Sequence, residues 1–224
     1  TESGIQILRL IYSGGSMELY IIRHGETKWN SEKRLQGRSD IELNEYGIEL
    51  ARITSEALKD VKFDRIYSSP LKRAYETAEI LRGSRKLDII CDDRLKEMCF
   101  GDYEGKVTDT LPDEFWKFFD DPVNFVPAGN GETYEQVIER AKDFLYNVIV
   151  PLSYKIDRML VVAHGAFNRA LMISLNHQGI KDYWEGVFQK NCCVNIYEIN
   201  GDNFKLIQNG KIYYEDKGGK DYRK

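Results

Sequence analysis

Two stretches of the chain end an apolar run in a histidine that is followed by a glycine. They are "LYIIRHGETKWN" (19–30) and "MLVVAHGAFNRA" (159–170), which place His24 and His164 in matching contexts in a chain with three histidines. A glycine lets backbone N–H groups approach a ligand closely, so the combination suits an oxyanion beside an imidazole. One such motif is equally well explained by an incidental histidine at a strand end, whereas its repetition favours a binding site.

Two arginines would add positive charge to such a site. Arg23 directly precedes His24, and Arg73 falls in the first turn of a helix predicted in "SSPLKRAYETA" (68–78). The N-terminus of a helix already favours an anion, and a guanidinium there can bind two phosphoryl oxygens through its planar fork. Taken alone, Arg73 is equally well explained as a solvated surface residue. A metal at the histidines would need carboxylates or thiolates nearby, whereas two fixed cations repel a divalent ion. We therefore predict no metal and no cofactor.

Phosphoryl transfer through histidine fits these residue types. A neutral imidazole nitrogen can attack phosphorus and form a phosphohistidine, while the other ring nitrogen holds its proton against a backbone carbonyl. Arg23, Arg73 and His164 would neutralise the phosphoryl oxygens as charge spreads in the transition state. The leaving oxygen also needs a proton, and its donor should be a carboxyl whose pKa is raised by burial or by a nearby phosphate.

The elements that must position these residues alternate between strand-like and helical patterns. Strands are predicted at 17–23, 63–69, 87–91 and 158–163, helices at 44–60, 70–83, 131–150 and 166–176, and a hairpin at 194–208. Ser69 is expected to cap the second helix with Pro70 at its first position, and Thr133 with Gln136 forms a capping box. Because parallel strands need helical crossovers, this order predicts an α/β domain with a mostly parallel sheet. Both His-Gly pairs then lie at carboxyl ends of strands, where such sheets bind ligands.

Composition and charge exclude several kinds of partner. Of 224 residues, 42% are hydrophobic and 30% charged, and the net charge is −4, without an Arg-rich stretch that would indicate nucleic acid. We predict no membrane span, because no apolar run approaches the roughly 20 residues that a span needs. The four cysteines form no CxxC pair, which favours reduced thiols in a cytoplasmic protein. We expect a small phosphorylated metabolite as partner and leave the oligomeric state open.

We predict one domain over 17–210, because no linker or repeat divides this range. Residues 1–16 precede the first strand and are interpreted as a leader or cloning remnant, and residues 211–224 as a solvated polar tail. The segment 106–130 has three prolines and no clean periodicity, so we expect an insertion or lid over the strand ends. Its aromatic residues either form a wall for an apolar or ring-bearing leaving group or simply pack against the main domain, and packing is the simpler interpretation.

Four motifs together resemble the histidine phosphatase superfamily, in its phosphoglycerate mutase-like branch. They are "RHGETKWN", "SSPLKRAYETA", "LKEMCFGDYEG" and "VVAHG", and they are most similar to alpha-ribazole phosphatases and broad-specificity phosphatases. The resemblance runs from Met17 to about Leu175 and implies a three-layer α/β/α sandwich. It implies His24 as the phosphorylated nucleophile and Glu97 as the proton donor. The phosphate pocket that it implies consists of Arg23, Arg73, His164, Asn30, Gln36 and Gly37. The nearby carboxylates of Asp102 and Glu104 are expected to be structural or solvated.

The predicted activity is hydrolysis of small phosphomonoesters by a metal-independent phosphatase. A phosphoglycerate mutase is an alternative, but it must hold a second phosphate, and the segment 106–130 has two basic and five acidic residues. A phosphate-binding regulatory protein without turnover is a third possibility. The complete set of His24, Glu97 and His164 argues against it.

Overall fold

A six-stranded sheet forms the centre of the protein, in a computed structural model that describes residues 15–216. The strands are β1 (Met17–Arg23), β2 (Arg65–Ser68), β3 (Ile89–Cys91), β4 (Arg158–Ala163), β5 (Val194–Asn200) and β6 (Asn203–Lys211). Their order is β3-β2-β4-β1-β5-β6, with parallel pairs up to β1 and antiparallel pairs beyond it. This topology confirms the predicted mostly parallel α/β fold. Apart from Gly15 and Ser16, the predicted leader lies outside the described residues.

Four longer helices accompany the sheet. They are α1 (Glu45–Ala57), α2 (Lys72–Arg82), α3 (Tyr134–Phe144) and α4 (Gly165–Leu175). Short α-helical segments lie at Lys28–Ser31, Lys117–Asp120 and Val150–Leu152, a π-helical turn at Leu145–Ile149, and 3-10 turns at Asp93–Leu95, Gly101–Tyr103, Thr108–Thr110, Asp113–Trp116, Pro122–Asn124 and Ile180–Asp182. Within residues 15–216, no helix is both long enough and apolar enough to cross a bilayer.

The alternation of side chains along β1 divides the core into two layers. Met17, Leu19 and Ile21 pack into the larger cluster, which includes the buried faces of α3 and α4. Tyr20 and Ile22 point the other way and join a cluster that contains the buried face of α2. Helices therefore cover both faces of the sheet, as the predicted three-layer sandwich requires.

The start of α2 differs from the prediction. Leu71 occupies the N-cap position without a side-chain cap, and the helix begins at Lys72 rather than at Pro70. The Oγ of Ser69 lies 2.8 Å from Nε2 of His164 and accepts the N–H of Leu71 at 3.3 Å. The predicted capping role for Ser69 is therefore wrong, because a partner from another strand end engages its hydroxyl group.

The helix predicted at 131–150 is correct at its start and interrupted near its end. Thr133 and Gln136 form the predicted capping box in front of α3. After Phe144 the chain enters the π-helical turn, which is followed by Pro151. Proline has no N–H to donate to the carbonyl four residues earlier, so regular α-helical bonding cannot continue through it.

The segment 106–130 packs against the main domain. Phe115 and Phe118 are 1% and 2% exposed and belong to the larger core cluster. The ring of Phe118 stacks on Tyr134 at a centroid distance of 5.4 Å and contacts Trp184 at 5.0 Å. The packing interpretation of these aromatic residues is thus confirmed for Phe115 and Phe118.

The chain after residue 210 also differs from the expected solvated tail. Strand β6 extends to Lys211, and Tyr213 packs against the cluster on the α2 side of the sheet. The hydroxyl of Tyr214 donates to the carbonyl of Asn191 at 2.6 Å. Residues 217–224 of the predicted tail lie outside the described residues.

Replacing Phe118 by alanine should destabilise the whole domain. The side chain is almost fully buried, so we expect the free energy of unfolding to fall by about 3–5 kcal/mol. Val126 in the same segment is 80% exposed, and Val126→Ala should change stability by less than about 0.5 kcal/mol. Urea unfolding of both variants measures the difference. A segment that only rests on the domain would give two similarly small effects.

Candidate active site

The predicted site residues converge at the carboxyl ends of β1 and β4. These strands are parallel neighbours, with Arg23 opposite Ala163, so the residues that follow them meet at one sheet edge. The ring centroids of His24 and His164 are 5.1 Å apart. A pocket opens here. The predicted residues that line it are Arg23, His24, Asn30, Gln36, Gly37, Arg73 and Glu97.

His24 is held as a neutral imidazole with one free ring nitrogen. Its Nδ1 lies 2.6 Å from the carbonyl oxygen of Gly25, which can only accept, so Nδ1 carries the hydrogen and Nε2 the lone pair. Burial, then the charges of Arg73 and Arg23, lower the pKa of His24 well below its usual value. This tautomer is the one expected from the sequence, with one ring nitrogen holding its hydrogen against a backbone carbonyl.

The loop that carries His24 packs backbone against backbone on the start of α1. A Cβ atom at Gly25 would lie 2.6 Å from the carbonyl oxygen of Gly47, and one at Gly47 would lie 2.0 Å from that of Glu26. Asn44 caps α1 by accepting the N–H of Gly47 at 2.7 Å. Glycine follows His24 because no side chain fits between the loop and this helix.

His164 is fully buried at the N-cap position of α4. Because the N–H of Leu71 donates to Oγ of Ser69, the Ser69 hydroxyl hydrogen is available to Nε2 of His164. Donation from that hydroxyl to Nε2 would leave the ring hydrogen on Nδ1, which is buried without a hydrogen-bond partner in the described residues. Burial, followed by the charges of Arg73 and His24, lowers the pKa of His164 well below its usual value.

Backbone carbonyls, rather than carboxylates, hold the two arginines. Nη1 and Nη2 of Arg73 donate to the carbonyls of Ser39 and Gly37, both at 2.7 Å, and Nη1 of Arg23 donates to that of Gln189 at 2.6 Å. The Nε atoms of both arginines are buried without a partner in residues 15–216. Burial lowers the pKa of Arg73 to about 10, so it remains a cation at neutral pH. Neither guanidinium forms an ion pair with a described carboxylate.

Thr27 orients the two predicted amide side chains. Its hydroxyl lies 3.2 Å from Oδ1 of Asn30 and 3.0 Å from Oε1 of Gln36, and its N–H donates to the same Asn30 oxygen at 3.1 Å. Both amide oxygens therefore face Thr27. The amide N–H₂ groups of Asn30 and Gln36 are the atoms left to donate to an anion in the pocket.

Glu97 is buried and held at the N-terminus of α4. Its Oε1 accepts the N–H groups of Met98 and Phe167, both at 2.9 Å, and its Oε2 accepts that of Ala166 at 3.1 Å. A Cβ atom at Gly165 would be equally close, 3.7 Å, to this Oε2 and to Nε of Arg23. Oε2 accepts one hydrogen bond within the described residues, so a second lone pair of this oxygen remains free.

The far wall of the pocket combines aromatic rings with paired or hydrogen-bonded cations. Its aromatic lining consists of Phe100, Phe118, Phe119, Trp184 and Phe188. Lys33 and Arg34 also line the pocket, but Lys33 pairs with Asp109 at 3.2 Å and Arg34 pairs with Glu32 at 2.7 Å. Arg169 lines the pocket as well, and its guanidinium donates to the carbonyls of Tyr183, Asp182 and Glu185. Residues 15–216 contain no group of three or more His, Cys, Asp or Glu placed to bind a metal.

The hydroxyl groups that support the site were not predicted from the sequence. Thr77 donates to the carbonyl of Arg73 at 2.6 Å and accepts the N–H of Gly25 at 3.0 Å. It lies four residues after Arg73 on α2, a spacing that indicates a contact within one helix face. Thr27 precedes Asn30 by three residues, the spacing of a capping box. The partnership of Ser69 with His164 has no such local signal.

Comparison with known proteins places the whole fold in one family. A model of the histidine phosphatase superfamily (branch 1) matches residues 19–210. The uncharacterized phosphatase PhoE of Bacillus subtilis is 38% identical over 186 residues, which cover 83% of this chain and 90% of PhoE. The structure of Bacillus stearothermophilus YhfR has a TM-score of 0.82 and 35% identity, covering 88% of this chain and 98% of YhfR. The alpha-ribazole phosphatase of Shigella flexneri has a TM-score of 0.79 and 27% identity, covering 89% and 100%.

Stability should decrease as the pH falls below about 6.5, the ordinary pKa of histidine. His24 and His164 are neutral in the folded state, whereas the unfolded chain takes up protons below this pH, so acid favours unfolding. Each histidine contributes a slope of up to about 1.4 kcal/mol per pH unit until its lowered folded-state pKa is reached.

Urea unfolding between pH 7.5 and 5.5 measures this slope. His24→Gln should reduce it by the contribution of one proton, while His177→Gln, at an exposed position, should leave it unchanged. Equal slopes in the wild type and His24→Gln would contradict the assignment of a neutral His24.

Proposed function

The chain belongs to the histidine phosphatase superfamily, as its motifs predicted, and we propose that it hydrolyses small phosphomonoesters through a phosphohistidine on His24. Its family and its phosphatase-named relatives make it a phosphatase. One observation supports the mechanism above all others. Nε of Arg23, Nε of Arg73 and Nδ1 of His164 are buried polar atoms without partners, and they surround a neutral imidazole. The oxygens of a phosphoryl group supply the missing acceptors.

In the first half-reaction, Nε2 of His24 attacks phosphorus and the bond from phosphorus to the leaving oxygen breaks. Arg23, Arg73 and His164 stabilise the phosphoryl oxygens as charge spreads over them. The ring of His24 becomes positively charged, and its Nδ1–H already donates to the carbonyl of Gly25, which favours that charge. Asn30 and Gln36 add neutral donors to the same group.

Glu97 supplies the proton that the leaving oxygen requires. We assign this role to Oε2, which has a free lone-pair direction, while three backbone N–H groups hold the carboxyl group in place. In the second half-reaction the ionised carboxylate accepts a proton from water as the water attacks the phosphohistidine. Inorganic phosphate leaves, and both Glu97 and His24 return to their starting states.

Hydrolysis fits the far wall of the pocket better than mutase activity does. A mutase must hold a bisphosphorylated intermediate, which needs cations at both ends. Here Lys33 and Arg34 pair with Asp109 and Glu32, and backbone carbonyls bind the guanidinium of Arg169. Much of the remaining lining is aromatic. We propose a leaving group with an apolar or ring-bearing portion that contacts the partly buried rings of Phe119 and Trp184. We also propose a cytoplasmic location, where the four free cysteines would remain reduced.

His24→Ala should abolish release of phosphate from p-nitrophenyl phosphate. The substitution removes the nucleophile, so we expect kcat to fall by more than about 10³-fold, and wild-type activity should persist in EDTA. Rapid acid-free quenching and mass spectrometry should detect one added phosphoryl group on the wild type and none on His24→Ala. Loss of wild-type activity in EDTA would indicate a metal enzyme instead. Transfer between positions of phosphoglycerate without phosphate release would indicate a mutase, and binding without either reaction would indicate a regulatory protein.

Glu97→Gln should slow substrates with poor leaving groups more than activated ones. An alkyl phosphate needs protonation of its leaving oxygen, so its kcat should fall by about 10²-fold or more, whereas p-nitrophenyl phosphate should lose less than about tenfold. Steady-state kinetics on the two substrates measure the ratio, and Asp102→Asn, at an exposed carboxylate, is the control. Equal losses on both substrates would remove Glu97 from the role of proton donor.

A further inference from the structure

Glu104 takes no part in the chemistry above, yet its half-buried carboxylate accepts hydrogen bonds from both sides of the pocket rim. Oε1 accepts the backbone N–H groups of Arg38 at 2.9 Å and Phe100 at 3.1 Å. Oε2 accepts the N–H of Ser39 at 3.0 Å and its hydroxyl at 2.8 Å. Three of these four donors belong to residues 37–39, which we call the rim loop.

The N–H groups of the rim loop face Glu104, and its carbonyl groups face Arg73. The carbonyls of Gly37 and Ser39 accept the two terminal nitrogens of Arg73, each at 2.7 Å. One peptide group takes part in both sets of contacts, because the carbonyl of Gly37 and the N–H of Arg38 belong to the same planar unit. Glu104 and Arg73 therefore bind opposite ends of one peptide, and each bond polarises the other.

The close approach of Glu104 also explains a glycine in the rim loop. Gly37 has a φ of +51°, and a Cβ atom there would lie only 2.1 Å from Oε1 of Glu104. Both the conformation and the space require a residue without a side chain. The carboxylate and the loop are thus fitted to each other.

We propose that Glu104 is a positioning residue for phosphate binding, acting through the rim loop on Arg73. The carboxylate fixes the loop carbonyls, and these fix the plane of the Arg73 guanidinium so that its Nε faces the phosphoryl group. This inference rests on the role of Arg73 in the proposed function.

The direction in which phosphate affinity changes when Glu104 is neutralised distinguishes a positioning role from a purely electrostatic one. Glu104 is negatively charged and close enough to Arg73 to influence it electrostatically. If charge alone mattered, neutralising Glu104 would remove a repulsion and strengthen the binding of an anion. Positioning has the opposite consequence, because a misaligned guanidinium binds phosphate less well.

The first test compares Glu104→Gln with the wild type. Calorimetry should show that the dissociation constant for inorganic phosphate rises about tenfold, and kcat/KM for p-nitrophenyl phosphate should fall about 10- to 100-fold. Ser39→Ala removes one of the four hydrogen bonds without a change of charge and should give a smaller loss in the same direction. Asp102→Asn removes an exposed carboxylate two residues earlier and should leave both quantities within about twofold.

The second test is a double-mutant cycle with Arg73→Lys, which keeps the charge but loses the planar fork. If Glu104 acts through Arg73, adding Glu104→Gln to Arg73→Lys should cost less than about twofold. Tighter or unchanged phosphate binding in Glu104→Gln, or equal losses in both backgrounds, would overturn the inference. Absence of phosphate binding in the wild type would instead overturn the proposed function. Unfolding curves show which variants fold. If Glu104→Gln does not fold, the effect of Ser39→Ala on phosphate binding still tests the inference.

Discussion

A buried positive charge without a carboxylate partner is the constraint on which the rest of the site depends. Arg73 is fully buried, and the groups that bind it are the carbonyls of Gly37 and Ser39. Burying a cation is costly unless an anion compensates for it. The fold therefore holds Arg73 and Arg23 at the ends of β1 and β4 with no described carboxylate in direct contact, although Glu97, Asp40 and Glu104 act on Arg73 from a distance. A dianionic phosphoryl group compensates for these positive charges without first displacing a resident ion pair.

The same charge determines the state of the nucleophile. With Arg73 and Arg23 close by and the ring buried, His24 does not hold a second proton, and its Nε2 lone pair stays available. The carbonyl of Gly25 then decides which nitrogen keeps the single hydrogen. The neutral state of His24 and the positive charge of the pocket are consequently two results of one electrostatic arrangement, and a change to either arginine would alter both.

Much of this arrangement could be predicted from the sequence, because its signals are local. Strand periodicity and the His-Gly endings indicated which residues meet at the sheet edge, and Arg73 was placed correctly in the first turn of α2. Individual side-chain contacts between distant parts of the chain could not be predicted. Ser69 looks like a helix cap and instead binds His164, 95 positions later. Likewise, the packing of Tyr213 depends on a sheet face that exists only after folding.

The close backbone contact between Gly25 and Gly47 limits how the sequence of such an enzyme can change. Two stretches of main chain touch there, so neither position accepts even a methyl group, and no compensating exchange elsewhere can create the room. Gly25, in the loop that carries His24, and Gly47 therefore cannot be replaced by a larger residue in small steps. Phe119 and Trp184, in the aromatic lining of the far wall, are only partly buried and meet no such backbone restriction. New substrate preferences should thus arise by substitution in that wall while the chemistry stays constant.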